Sequence, residues 1–240
     1  MLLLAFEAAG PGTSVALLEV GADGPARVLD LRHDAARGAG DRLIPLIQAT
    51  LGSGRAAFSD VGALAVDRGP GGFTGVRTAV AAARGLALAL RCPLIAITRF
   101  QVLASVHAPG PDEVVAVAID GGRGRVQLQA FAFDLEPLAP PLAVAPERGL
   151  EGLPRPLRLT GSGAQLLVEA ASDRRGVEVV ASDADAGSVG RLAARRLHAG
   201  LAQVQPFTLE PLYLRPPDAV PPRRRHERPD PPPAHARAQT

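Results

Sequence analysis

The 240-residue sequence has no lysine and only one cysteine, and both absences narrow what the protein can be. All 26 basic residues are arginines, so almost nothing titrates between neutrality and the arginine pKa, which lies above about 12. The single cysteine, Cys92, excludes an internal disulfide and a metal cage built from cysteines.

Long hydrophobic runs and a basic leader are also missing. No apolar run looks long enough to span a bilayer, and residues 1–7 lack the charge and the length of a signal peptide. We therefore expect a cytoplasmic protein that makes no membrane contact. With 47% hydrophobic and 21% charged residues the chain can bury a full core, in one large domain or, as we favour, two small ones.

Charge is balanced over most of the chain. Residues 216–240 hold five arginines and three acidic residues, which leaves 21 of each sign in residues 1–215. A neutral body argues against binding nucleic acid over a broad face, so we expect tRNA contact only through a complex. The segment 216–240 contains eight prolines and is predicted to be disordered. Its stretch Arg223 to Arg228 is a solvated charge run or, alternatively, a tRNA contact.

Recognisable catalytic and metal-binding sets are absent from the sequence. None of the five histidines, residues 33, 107, 198, 226 and 235, is paired at the three- or four-residue spacing that helical metal sites use. No Gly-Lys-Ser/Thr phosphate loop and no dinucleotide fingerprint is present. We expect no catalytic residue and no metal ligand set on this chain.

The hydrophobic pattern predicts two similar α/β units. In the first, the strands are Leu2 to Phe6, Ser14 to Val20, Arg27 to Arg32, Ala63 to Asp67 and Leu94 to Ile97, and the helices are Asp41 to Leu51, Val76 to Leu90 and Thr98 to about His107. Pro45 is expected either in the first turn of its helix or at a kink in it. In the second, the strands are Glu113 to Ile119, Arg125 to Phe133, Leu142 to Ala145, Leu157 to Thr160 and Val177 to Val180, and the helices are Ala164 to Ala171 and Asp185 to Ala199. We predict lobes at 1–110 and 111–215; a single sheet with a long insertion is the alternative.

A glycine-rich loop joins the fourth strand to the second helix. Glycine tolerates positive φ, Pro70 fixes one φ, and Thr74 stands where a helix N-cap would lie. The loop is either a tightly packed turn or an anion- or partner-docking loop, since a helix N-terminus offers free N–H groups. Its residues of interest are Arg68, Gly69, Pro70, Gly71, Phe73, Thr74, Gly75 and Arg77.

The helix after this loop is apolar on nearly every side, which is typical of a helix that is fully buried or lies in an interface. Its small side chains would let another helix approach to about 8 Å.

These motifs together resemble the TsaB (YeaZ) family of the actin-like ASKHA superfamily. The resemblance covers about residues 2–215 and is carried by Thr13 to Leu17, Arg42 to Ile47, Arg68 to Arg77, Gly85 to Ala87, Ala118 to Asp120 and Glu210 to Arg215. It implies two tandem RNase H-like lobes, each a mixed sheet with flanking helices. It also implies a non-catalytic scaffold subunit for tRNA threonylcarbamoyladenosine synthesis.

The resemblance further implies partners and contact residues. The expected partners are a TsaD-like catalytic subunit, a TsaE-like ATPase and, in isolation, a second copy of the chain. The residues implied for partner binding are Leu43, Leu46, Ile47, Val76, Thr78, Val80 and Ala83.

The resemblance to the ASKHA superfamily also implies a nucleotide site, in which ATP and magnesium would bind between the two lobes. The residues it would use are Glu7, Asp120, Gly161 and Gly163. The chain departs from the family here, with Glu7-Ala8 in place of Asp-Thr and with polar groups missing after Asp120. We therefore expect no cofactor, and keep an ASKHA-type ATPase or small-molecule kinase using Asp120 and Glu7 as the alternative function.

Overall fold

The fold contains two five-stranded sheets of the same topology. The structure is a computed structural model that describes residues 1–22, 25–35, 39–181, 184–201 and 204–214. The first sheet has the order β3-β2-β1-β4-β5 and the second the order β10-β9-β6-β7-β8. In each sheet the first three strands along the chain pair antiparallel, and the remaining two are parallel to the first. The strands are β1 (Leu2–Glu7), β2 (Thr13–Glu19), β3 (Arg27–Asp34), β4 (Val61–Asp67), β5 (Leu94–Ile97), β6 (Val114–Asp120), β7 (Val126–Phe131), β8 (Leu142–Val144), β9 (Leu157–Thr160) and β10 (Val177–Val179).

Repetition of one α/β unit is therefore confirmed, and the single-sheet alternative is wrong. The helices are α1 (Ala39–Ser53), α2 (Phe73–Leu90), α3 (Arg99–Val106), α4 (Ala164–Ala170) and α5 (Ala186–His198), with short 3-10 turns at Phe58–Asp60, Pro146–Arg148 and Pro206–Thr208. Every predicted strand and helix exists, and the differences lie at the ends. Because α1 begins at residue 39, Pro45 lies inside the helix and not in its first turn.

The elements stack in five layers, helix-sheet-helix-sheet-helix. Alternate residues of each strand point to opposite faces, so each sheet contributes to two cores. Helices α1 and α2 cover one face of the first sheet and α5 covers the other. Helix α3 covers one face of the second sheet and α4 the opposite one, while α3 and α5 contact each other in the middle layer.

Helix α5 lies in the part of the chain predicted to form the second lobe, yet it packs on the first sheet. Its contact face combines Val189 and Leu192 with alanines, and a Cβ on Gly190 would overlap the side chain of Leu18 on β2. Because Gly190 has no side chain, the helix axis can lie close to the sheet at this point. The predicted boundary at residues 110 and 111 stays a prediction.

The segment 204–214 returns to the first lobe after α5. Leu209 is 1% exposed within the core beneath α1 and α2, and the Leu212 N–H donates to the Arg68 carbonyl at 2.8 Å. Leu212 and Leu214 also pack against the core between α3 and the second sheet. This segment therefore joins the glycine-rich loop to the second lobe. Arg215 and the predicted tail, 216–240, lie outside the described residues.

Candidate functional site

The glycine-rich loop, Arg68 to Gly72, packs against the chain's own β1–β2 loop. A Cβ on Gly71 would lie within 3.0 Å of the Ala9 carbonyl oxygen, and one on Gly75 would lie as close to that of Ala8. The Gly72 N–H donates to the Ala9 carbonyl at 3.0 Å. Of the two alternatives predicted for this loop, these contacts agree with a tightly packed turn, and the backbone that approaches it belongs to the first hairpin.

One detail predicted for this loop, the Thr74 cap, is wrong. Helix α2 begins at Phe73 with Gly72 as its N-cap, so Thr74 is its second residue and caps nothing. Gly69, with φ of 89°, is the only loop glycine in the left-handed region, whereas Gly71 and Gly75 are required by space. The helix therefore begins three residues before the predicted start at Val76, directly after the Gly72 contact with Ala9.

A buried ion network lies beside the loop, where β1 and β4 end. The Arg99 Nη1 atom is 3.1 Å from Glu7 Oε2 and 3.4 Å from Asp67 Oδ2. All three residues are buried, and Asp67 is fully enclosed. Burial raises the pKa of Asp67 to about 7, with the negative charge of Glu7 adding to the rise and Arg99 opposing it.

Glu7 was predicted as a nucleotide ligand, but its carboxylate is already occupied. Oε1 accepts the Ser14 hydroxyl at 2.8 Å, and Oε2 accepts the backbone N–H groups of Ala9 and Gly10 besides contacting Arg99. Sequence reasoning missed Asp67 and Arg99. A signal for Asp67 was present in the sequence, because it is an acidic residue at the end of a buried strand. Since β1 and β4 are parallel neighbours, the acids that end them, Glu7 and Asp67, lie at the same edge of the sheet.

The second predicted ligand, Asp120, lies elsewhere. Asp120, Ile119 and Ser162 line one side of a 420 Å³ cleft between the lobes, and the glycine-rich loop lines the other. Glu7 lines a separate 250 Å³ cavity with Thr13 and His33, and Arg99 borders both spaces. The Asp120 carboxylate is exposed and accepts the Gly122 N–H at 2.8 Å.

The predicted glycines of a nucleotide site serve the fold. Gly161, with φ of 101°, has no room for a Cβ beside the Ala118 carbonyl, and Gly163 packs against Ile119. No group of three metal-ligating side chains occurs among the residues that the structure describes. With Glu7 saturated by protein donors and Asp120 in another cavity, these residues do not fit a magnesium-nucleotide site.

An aromatic and arginine cluster lies at the other end of the loop. The Arg77 guanidinium stacks 3.8 Å above the Phe73 ring, and its Nε donates to the Tyr213 hydroxyl at 2.7 Å. The two rings are 6.0 Å apart, and both are about half exposed. Arg68 reaches the Glu210 carbonyl at 3.5 Å. The two arginines therefore hold the segment 204–214, which fits a structural role better than a catalytic one.

Most residues predicted to bind a partner are buried in the first core, and their role in partner binding stays a prediction. Their side chains point at the first sheet because they occupy the inner face of each helix. Leu43, Ile47, Val76, Val80 and Ala83 are at most 4% exposed, and Leu46 and Thr78 are partly buried. Other positions are exposed, and we call four of the apolar ones the outer face: Ile44 of α1 and Ala81, Gly85 and Leu88 of α2, with the exposed Arg84 on the same side of α2.

Helix α2 also changes the expectation about membrane-spanning length. Its 18 residues have a mean hydropathy of 1.2, so by length and composition it is long and apolar enough to cross a bilayer, contrary to expectation. The core helix of a soluble protein passes the same test. Here 28% of the helix is buried, which leaves a largely apolar side outward.

Two tandem lobes with the same mixed sheet define an α/β protein of the actin-like ASKHA fold. The activator of the 2-hydroxyisocaproyl-CoA dehydratase from Clostridium difficile has this fold, with a TM-score of 0.50 over 85% of this chain and 99% of that one at 8% identity. The chain belongs to the family described as TsaD: tRNA N6-adenosine threonylcarbamoyltransferase, whose model matches residues 33–159.

Within this family the resemblance to TsaB and YeaZ is confirmed. The tRNA threonylcarbamoyladenosine biosynthesis protein TsaB of Escherichia coli is 36% identical over 95 residues, which is 39% of this chain and 41% of that protein. TsaB of Haemophilus influenzae is 36% identical over 125 residues, 52% of this chain and 51% of that protein. The chain thus spans about half or less of the curated relatives' length. YeaZ of Pseudomonas aeruginosa superposes with a TM-score of 0.74 at 28% identity, over 89% of this chain and 99% of that one.

Proposed function

We propose that this protein is a non-catalytic scaffold subunit for tRNA threonylcarbamoyladenosine synthesis in the cytoplasm, and that it binds and activates a TsaD-like catalytic subunit. The names of the relatives support the pathway. A tRNA N6-adenosine threonylcarbamoyltransferase of Solidesulfovibrio magneticus is itself 33% identical over 100 residues, 40% of this chain and 27% of that enzyme. Homologous folds can pair through equivalent surfaces.

The observation that carries the proposal is the outer face. Ala81, Gly85 and Leu88 share one side of α2 at spacings of four and three residues. Leu88 is 45% exposed and Ile44 of α1 is 41% exposed, although both are apolar. A Cβ on Gly85 would meet nothing within 4 Å, so the helix surface is flat there and open to a second helix.

A scaffold role is also supported by how the polar groups are used. The described histidines are engaged separately: His107 with the Ala181 carbonyl at 2.6 Å, His198 with the Gly21 carbonyl at 2.9 Å, and His33 3.9 Å from Asp185. Contacts with tRNA would then run through the complex. A TsaE-like ATPase, and a second copy of the chain when the catalytic subunit is absent, are the further partners that we propose.

Two variants of the outer face test the proposal. Leu88→Glu places a charge in the interface, and Gly85→Gln adds bulk where the monomer has open space. Loss of an interface anchor costs more than about 1 kcal/mol, so binding of the purified TsaD-like protein should weaken by roughly tenfold or more, measured by calorimetry. The buried Val80 is unsuitable because a charge there would unfold the monomer.

The matched control is Leu166→Glu on α4. Leu166 is 40% exposed, nearly the same as Leu88, but it lies on the outermost layer of the second sheet. The Leu166→Glu variant should bind the TsaD-like protein with the affinity of the unmodified chain. If both outer-face variants also bind with unchanged affinity, α2 is not the docking surface and the proposal fails.

A further inference from the structure

The ends of β1 and β4 form a rigid pair of carboxylates. Phe6 pairs with Val66 in the parallel register, so Glu7 and Asp67 follow side by side at the same sheet edge. Each is held by backbone donors: Glu7 by the N–H groups of Ala9 and Gly10, and Asp67 by the Gly69 N–H at 2.8 Å. One oxygen of each carboxylate, Glu7 Oε2 and Asp67 Oδ2, faces a common point.

That common point is occupied by a single nitrogen, Nη1 of Arg99. Two carboxylates and one guanidinium leave an excess of negative charge when both acids are ionised. Burial makes unpaired charge costly. A positive charge at this point offsets part of that cost.

The surroundings are shaped to keep Arg99 there. It is the first residue of α3, its N–H donates to the Gly69 carbonyl at 2.7 Å, and the Thr98–Gln101 capping box fixes the helix start. A Cβ on Gly10 would lie 3.2 Å from Nη2, so the β1–β2 loop leaves just enough space for the guanidinium. The next residue, Phe100, is fully buried in the core of the second sheet.

We propose that Glu7 and Asp67 form a divalent-cation site that Arg99 fills from within, so that the chain supplies its own cation and does not take one from solution. Oxygen ligands of this kind suit Mg²⁺ or Mn²⁺. The guanidinium at the same time ties the first-lobe strands to the helix packed on the second lobe. The inference is independent of the proposed partner.

The test is Mn²⁺ binding by the full chain, followed by electron paramagnetic resonance of the free ion. Unmodified protein should take up no Mn²⁺ at this point. Arg99→Ala should gain one Mn²⁺ per chain and should melt at a higher temperature with Mn²⁺ than without it. Uptake should be stronger at about pH 8 than at about pH 6, because the metal competes with protons for the carboxylates.

Three further variants make the result specific. Arg99→Ala combined with Asp67→Asn should lose the gained binding, and Arg84→Ala, which removes an exposed arginine of α2, should gain none. Arg99→Gln keeps most of the side-chain volume and repeats the measurement if the alanine variant does not fold.

Three results would overturn the inference. The first is a folded Arg99 variant that binds no Mn²⁺, which would mean that a proton neutralises the acids. The second is Asp67-dependent Mn²⁺ binding by the unmodified chain. The third is failure of both Arg99 variants to fold, with Mn²⁺ as well as without it.

Discussion

Helix α2 contains two glycines for which the structure predicts opposite effects of the same substitution. Gly75 faces the β1–β2 loop, where a Cβ would lie within 3.0 Å of the Ala8 carbonyl oxygen. Gly85 is exposed, with nothing within 4 Å of that position. Replacing each by alanine adds the same methyl group to the same helix, so the two variants control for each other.

The expected magnitudes follow from space and helix propensity. Gly85→Ala should raise the free energy of unfolding by about 1 kcal/mol, the usual gain in an exposed helix interior. At Gly75 the gain in helix propensity is smaller because the residue lies near the helix start. The new Cβ reaches an ordinary contact distance of 3.4 Å or more only if the Ala8 backbone moves. Overpacking of this kind costs about 1–3 kcal/mol, and we expect the upper end because Ala8 is itself buried.

The two variants should therefore differ by about 3 kcal/mol. Urea unfolding followed by circular dichroism measures this, provided that both variants share the slope of the unmodified protein. If Gly75→Ala is as stable as Gly85→Ala, the β1–β2 loop does not pin the start of α2. Close packing between the first hairpin and the glycine-rich loop would then be refuted as the reason for the glycine at position 75.

Two other predictions concern buried groups. Because the pKa of Asp67 is raised to about 7 from its ordinary 3.8, its contribution to stability is full below about pH 4 and is lost as pH rises through 7. The free energy of unfolding of Asp67→Asn, relative to that of the unmodified chain, should therefore rise by an amount on the order of 4 kcal/mol between about pH 4 and pH 7. A difference that does not change with pH would contradict this prediction. Leu209→Ala should cost about 2–5 kcal/mol in a thermal or urea melt, whereas Phe207→Ala, at a side chain 71% exposed, should change stability by less than about 0.5 kcal/mol. Equal effects at these two positions would mean that segment 204–214 is not part of the first core.

Much of the fold could be predicted from the sequence because its signals are local. Strands β5 and β9 have the predicted bounds, and the capping box of Thr98 and Gln101 opens α3 as expected. Side-chain periodicity and capping act over a few residues, so they survive without tertiary context. The repeated order of elements likewise predicted two sheets of one topology.

The candidate site depended on contacts that the sequence pattern does not encode. Arg99 meets Glu7 across 92 positions and Asp67 across 32, and only the alignment of β1 with β4 brings the three together. The face of α2 that a partner would use could not be chosen for the same reason, because a helix that is apolar on nearly every side shows no preferred side until a sheet buries one.

The sequence alone determined the elements, their order and the family resemblance, since these rest on propensity, periodicity and short motifs. Tertiary structure alone decided that α5 crosses to the first sheet, which face of α2 stays exposed, and that Glu7 is bound to an arginine. These outcomes depend on how distant segments compete to bury apolar surface and to neutralise buried charge, and that competition is resolved only in the folded chain.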